Sequence, residues 1–296
     1  MAADHVAALA LTAALCVAAL ATATRRAELR PAARQGEVRP ATRGGKAGSA
    51  TRRTKLRPAA RQAGAVPAAG AWTRPLSRAF AAFLLGWFLA YPVVVLAEGS
   101  YELDFDLPLH VTDAVTVVSA VALWTWRPLP FELTWFWGLT ASLLAIITPD
   151  LGADDRFPSF FYFHYFVTHG GVVVAAVFLA FGVGLTARRG AVGRVFLLTA
   201  AWAAVAALGN AVTGGNYMFL REKPDATTLL DYMGPWPWYI ATSAILALAL
   251  FALLDVAFRR RRATLARANA SGPLSLPAQP RRRSTAALPR SRTPAR

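Results

Sequence analysis

Cysteine is almost missing from this chain: Cys16 stands alone among 296 residues. One thiol excludes an intramolecular disulfide framework and any multi-cysteine metal site, and leaves redox chemistry without support. Acidic side chains are missing too, but only locally. Residues 258–296 hold 11 arginines and no Asp or Glu, and residues 1–75 hold 13 Lys/Arg against 3 acids. Between them, residues 76–257 carry 8 basic and 13 acidic side chains, so the formal charge of +16 belongs to the termini. A surface that binds nucleic acid sets its basic residues on a folded face with aromatics among them. These termini are Ala/Pro/Arg-rich and show no packing pattern. No specific nucleic-acid partner is expected; disordered cytoplasmic arms drawn to anionic lipid headgroups are.

What the chain has in quantity is apolar side chains: 55% hydrophobic residues and nine tryptophans, with a mean hydropathy of +0.38. That is too apolar for an ordinary soluble domain. Six runs are long enough to cross ~30 Å of hydrocarbon: about 77–97, 109–126, 130–148, 159–185, 191–213 and 235–257. The fold class expected is all-α, a polytopic transmembrane bundle with six core spans over 76–257. Lys and Arg gather on the cytoplasmic side of membrane proteins. Arg74, Arg78, Arg127, Arg188, Arg189 and Arg259 to Arg262 fall on one side. Glu98, Glu102, Asp104, Asp106, Asp150, Asp154, Asp155, Asp225 and Asp231 fall on the other. A multi-pass protein of the bacterial cytoplasmic membrane with a cytoplasmic C-terminus satisfies both sets, and membrane lipids are its expected partners. Oligomeric state is not legible.

A seventh apolar stretch, residues 6–24, has Asp4 before it and Arg25–Arg26 after it, the reverse of a secretory signal. An extra span or anchor over 1–24, starting outside, is the reading adopted. Residues 25–75 form a basic linker in which "LRPAARQ" occurs at 29–35 and again at 56–62. Two copies of such a heptad build no solenoid. The basic tail occupies 258–296.

Ionisable groups inside a bilayer are expensive and point to function by default. "LPLHVTDAV" places His110, Thr112 and Asp113 at the acidic end of the second span. His110 and Asp113, three apart on one helix face, form a pair in which the carboxylate can orient the imidazole; capping of the helix start is the competing reading. "FFYFHYFVTHGG" sets His164 and His169 in the fourth span. Five positions apart they point ~140° away from each other, so His164 is assigned to an aromatic belt at headgroup level and His169 to the interior. Gly170 and Gly171 allow close helix approach. "LGNAVTGGNYMFLREKP" contributes Asn210, Asn216 and Tyr217; "LLDYMGPWPWYI" contributes Asp231 and Trp236. All lie on the acidic side.

The order "LPLHVTD", "VTHGG", "GNYMFLREKP", "LLDYMGPWPWYI" across six spans resembles the YwaF-like bacterial integral membrane family, over about 76–257. That family is related to a vertebrate membrane acyltransferase that remodels ether phospholipids. The resemblance implies a polytopic helical fold and acyl chemistry by a nucleophile and a histidine in separate spans. The relatives' nucleophile is a cysteine in a Leu-His-Leu-Cys-Asp-like stretch, which falls on Thr112 here; the histidine falls on His169.

The resulting expectation is a lipid acyltransferase or hydrolase in which Thr112 attacks an ester and His169 is base and then acid. Asp113 or His110 tunes the pair, an Asn210 or Asn216 amide donates to the oxyanion, and Tyr217, Asp231 and Trp236 line the substrate. No cofactor and no metal are required. Depth is the difficulty: Thr112 lies ~5 Å into its span and His169 ~15 Å. Two alternatives stand beside this. A zinc hydrolase would draw on His110, His164, His169 and Asp113, although helical zinc ligands favour spacings of three or four. A transporter or lipid-binding protein would use the same buried groups, but no inverted repeat is visible.

Overall fold

The structure is a computed structural model and describes residues 3–28, 72–152, 155–225 and 227–270. The linker between 29 and 71, the tail from 271 onward and Asp154 lie outside the described residues. All regular structure among the described residues is helical, as the composition requires. Two compact units divide the chain, Met1–Val256 and Ala257–Arg296.

The helices are α1 (Ala3–Glu28), α2 (Thr73–Glu98), α3 (Val111–Thr125), α4 (Pro128–Trp137), α5 (Leu143–Ile147), α6 (Phe160–Val177), α7 (Ala191–Thr213) and α8 (Trp238–Ala270). A π-helical turn, Gly138–Ser142, joins α4 to α5 without a break, and a second, Phe178–Val183, ends α6. Their boundaries follow from local chemistry. Pro128 opens α4 at a position where its missing N–H costs nothing. The Ser159 hydroxyl accepts from the Tyr162 N–H to start α6, and Gly99 at φ 71 closes α2 in the left-handed conformation.

Among the described residues, five helical segments are long and apolar enough to cross a membrane: Thr73–Glu98, Pro128–Ile147, Phe160–Val183, Ala191–Thr213 and Trp238–Arg260. They coincide with five of the six expected spans. The second expected span, 109–126, is the exception. Its helix, α3, has 15 residues and so is only ~22 Å long, because the chain from Ser100 to His110 is not helical and folds against other elements. α1 is the expected extra helix, and its apolar part, Asp4–Ala19, is likewise short. The basic segment after residue 257 is not wholly a loose tail, since α8 remains helical to Ala270.

α6 is the centre of the first unit, with α1, α2, α3, α4 and α5 packed around it. The contacts depend on small residues, as expected where lipid and protein are equally apolar and close approach decides association. A Cβ on Gly138 would stand 2.9 Å from Val172 Cγ1, so the π-helical turn after α4 lies tight on α6. α1 runs in the same direction as α6. Near its start His5 Nε2 bonds the Ile146 carbonyl at 2.6 Å, beside the beginning of α6. Thr12 meets Gly170, and the later turns reach the π-helical end of α6.

The arginine and acidic ends separate as the charge pattern requires. At one end Arg74 lies over Trp126 at 4.2 Å and Arg78 over Trp124 at 5.3 Å. Beside them Glu132, fully buried in α4, receives Arg188 and Arg194. At the other end Tyr91 donates to Asp106 at 2.6 Å.

Candidate functional site

The sequence around residue 110 builds a capped helix start. His110 is the N-cap of α3, with extended backbone (φ −68, ψ 152), and its N–H donates to Asp113 Oδ2 at 2.9 Å. The capping reading of Asp113 therefore holds, and its carboxylate engages the His110 backbone rather than the imidazole. The ring is oriented from elsewhere: His110 Nδ1 accepts from the Met218 N–H at 3.3 Å. Tyr217 and Phe219 flank it at 5.6 and 5.4 Å between ring centroids. With Nδ1 an acceptor, a neutral imidazole carries its proton on Nε2.

His169 has the opposite arrangement. Its Nδ1 lies 2.7 Å from the Tyr165 carbonyl, four residues back on α6, and a carbonyl can only accept. Nδ1 is then the protonated nitrogen and Nε2 keeps its lone pair. The ring lies over Tyr165 at 4.3 Å, whose hydroxyl is anchored to the Ala145 carbonyl at 2.8 Å. His169 is in electrostatic range of both His110 and His164. His164 lies among aromatic rings. It packs between Tyr91 of α2, at 5.1 Å, and Phe160, and its Nε2 is buried.

Thr112 is the second residue of α3, and α3 packs on α6. Among the described residues its hydroxyl has no hydrogen-bond partner, while its carbonyl accepts from Thr116. The Leu109 carbonyl, just before α3, accepts from Trp202 Nε1 at 3.1 Å, and Trp202 is the twelfth of 23 residues in α7, so the loop leading into α3 is fastened to the middle of α7.

That loop is fastened further by residues the sequence assigns to substrate. Tyr217, 1% exposed, donates its hydroxyl to the Leu103 carbonyl at 2.7 Å and accepts from the Leu107 N–H at 3.1 Å. Burial pushes its phenol above the usual range, so it stays a donor. Asn210 clamps the Tyr217 backbone from both sides: Oδ1 accepts from its N–H at 2.6 Å and Nδ2 donates to its carbonyl at 3.1 Å. Asn216 Nδ2 donates to the Glu222 carbonyl, and its Oδ1 accepts from the Arg221 and Glu222 N–H groups. Both amides brace backbone, each with one of its two Nδ2 donors and its Oδ1. Asp231 caps the turn at Thr228, its Oδ2 accepting from the Thr228 N–H at 2.8 Å. Trp236 is 62% exposed and donates to the Leu220 carbonyl. The turn that follows Tyr217 is strained, with Met218 at φ 58 and Phe219 at φ 52, a conformation that costs non-glycine residues ~1–2 kcal/mol each.

No group of three His, Cys, Asp or Glu side chains converges as metal ligands among the described residues. His110 accepts from the Met218 N–H, Asp113 accepts from the His110 N–H, His164 packs on Tyr91 and His169 bonds the Tyr165 carbonyl.

The polar cluster that sequence reasoning missed is Glu132. Its carboxylate takes the Arg188 N–H at 2.9 Å, Arg188 Nε at 2.8 Å and a fork from Arg194 at 3.0–3.1 Å. These bonds raise the Arg188 guanidinium above its ordinary value. The signal was present as a lone carboxylate in the apolar run "PLPFELTWFW".

No curated protein and no solved structure matches the chain. The TMEM164 family profile, in contrast, matches residues 1–255, so the family extends over α1 as well as the six expected spans. A helical, multi-helix membrane architecture and a match over most of the chain's length lead to one assignment: this protein belongs to the TMEM164 family.

Proposed function

We propose that the chain is a lipid acyltransferase or lipid hydrolase working with Thr112 and His169. The observation that carries the reading is the pair of opposed tautomers. His169 is fixed with a free Nε2 lone pair, as a general base requires, and His110 is fixed with Nε2–H, as an oxyanion donor requires. Thr112 stands in the first turn of α3, two residues after His110, and its hydroxyl has no partner among the described residues.

The chemistry is acyl transfer. His169 Nε2 takes the Thr112 hydroxyl proton as Oγ attacks the ester carbonyl, and His110 Nε2–H stabilises the oxyanion. Collapse breaks the ester C–O bond, and His169 returns the proton to the departing alcohol. A second alcohol, or water, then attacks the acyl-threonine by the same proton path in reverse. Transfer or hydrolysis is decided by which acceptor enters. The distribution of arginines supports a plasma-membrane protein with a cytoplasmic C-terminus and with this site near the opposite leaflet.

The test is lipid profiling of membranes carrying the wild type, Thr112→Ala, Thr112→Cys or His169→Ala at matched expression. One lipid conversion should vanish in both alanine variants and persist with the thiol, a better nucleophile than the hydroxyl. A conversion indifferent to both alanine changes overturns the assignment of these residues. Absence of any wild-type conversion favours a binding or transport role for the same buried groups.

A further inference from the structure

Hydroxyl groups on the helices of this bundle have a usual partner. Thr116, Thr134, Thr140, Thr199 and Thr213 each donate to the carbonyl four residues back on their own helix. Ser142 and Thr168 do not. Both are buried, at 0% and 6% exposure, and neither hydroxyl has a hydrogen-bond partner among the described residues. Ser142 also closes the π-helical turn Gly138–Ser142, a local geometry that recurs at functional sites.

The two residues belong to different helices but to one contact. Val172 of α6 meets Gly138, where an added Cβ would stand 2.9 Å from Val172 Cγ1. Further along, the Tyr165 hydroxyl donates to the Ala145 carbonyl at 2.8 Å. Residue numbers rise on one side as they fall on the other, so the helical stretch from α4 to α5 runs antiparallel to α6. Ser142 is four positions after Gly138 and three before Ala145; Thr168 is four before Val172 and three after Tyr165. Positions three and four apart share a helix face. The contact therefore brings the two hydroxyls to the same level, shielded from solvent and not bonded to each other.

Buried hydroxyls in native proteins find a partner in protein or in held water, because an unmet one is expensive. Chemistry limits what can meet both of these. Each offers one donor and two acceptor lone pairs, which a lipid chain cannot use. A cation would arrive without a counter-charge: no Asp or Glu occurs in 133–148 or in 159–185. Water brings two donors and two acceptors and spans groups that do not reach one another.

We propose that Ser142 and Thr168 bind one water molecule between them, a polar bridge from the π-helical turn to α6. The bridge lies next in register to Tyr165, against whose ring His169 rests, and so steadies the support of that imidazole. It is independent of the acyl reading: neither hydroxyl takes part in that chemistry, and a bundle without lipid activity holds the same water.

The test uses the full chain in lipid nanodiscs and compares Ser142→Ala, Thr168→Val and the double variant, each losing hydroxyl and little else. With water between them, either single change strands the opposite hydroxyl, and the melting temperature should fall by about 2–4 °C. The double variant should fall no further than the lower single, because the water leaves with the first change. Hydroxyls that hold nothing give the opposite sign: removing each raises the melting temperature or leaves it unchanged, and the two effects add. That result overturns the proposal. The wild type gives a second reading that does not depend on how the variants fold. A density map at about 2 Å should show one water peak roughly 2.7–3.0 Å from both side-chain oxygens. A map in which the hydroxyls bond each other, or each bonds the carbonyl four residues back, overturns it equally.

Discussion

Two buried polar clusters occupy opposite ends of the bundle, and they differ in what is left over. At the arginine end, Glu132 is surrounded by two guanidinium groups and a backbone N–H, and every oxygen lone pair it can offer is in use. At the acidic end, Asn210, Asn216 and Tyr217 spend their polar atoms on backbone, and this expenditure holds His110 in place with one nitrogen engaged. In the first cluster the carboxylate is saturated, and its bonds tie α4 to the start of α7. The second ends in unused capacity, which is what chemistry needs. A buried ionisable residue in a membrane protein therefore becomes informative about function only once its partners have been counted.

The comparison can be broken most forcefully at the arginine end. Replacing both Arg188 and Arg194 by Ala leaves the Glu132 carboxylate buried and unpaired. Unfolding stability should fall by about 3 kcal/mol, the low end for such a loss because both arginines are partly exposed, read as a drop in the detergent melting temperature. Any lipid conversion by the surviving folded fraction should keep its wild-type rate per molecule. Asn210→Ala comes next. It removes two buried bonds and should cost about 2 kcal/mol; unlike the arginine pair, it should also reduce turnover of the folded protein, because His110 loses its support. Tyr217→Phe frees the Leu103 carbonyl and Leu107 N–H, for about 1 kcal/mol, and proteolysis between 100 and 110 should quicken. The smallest effect belongs to Trp202→Phe. Loss of one bond to Leu109 should cost about 0.5–1 kcal/mol, yet a thiol placed at Thr112→Cys should become measurably more accessible to water-soluble reagents. If accessibility is unchanged, Leu109 is held down by something other than Trp202.

Much of the helical order was legible because a bilayer imposes a length on apolar runs, and α2, α4 with α5, α6, α7 and α8 follow it. α3 was not legible in the same way. "LPLHV" reads as the beginning of an apolar run, and the groups that fasten it, Trp202 and Tyr217, lie 93 and 110 residues away. The same long-range pairing hid the purpose of Asn210 and Tyr217: residue type showed that they would be buried and polar, but not that backbone would consume them. His169 was readable from its depth and its glycine neighbours, whereas its tautomer required the Tyr165 carbonyl. The arginines after Phe258 suggested an unstructured tail, since charge alone says nothing of helix continuation, and α8 carries them on to Ala270.

The left-handed backbone of Met218 and Phe219 has a mechanical side. Met218 holds His110 through the N–H of a residue kept in a conformation it would leave if released. The turn is pinned independently of the ring, by Asn210 on the Tyr217 backbone and by Tyr239 on the Phe219 carbonyl, so α7 and α8 together set where the imidazole's partner stands.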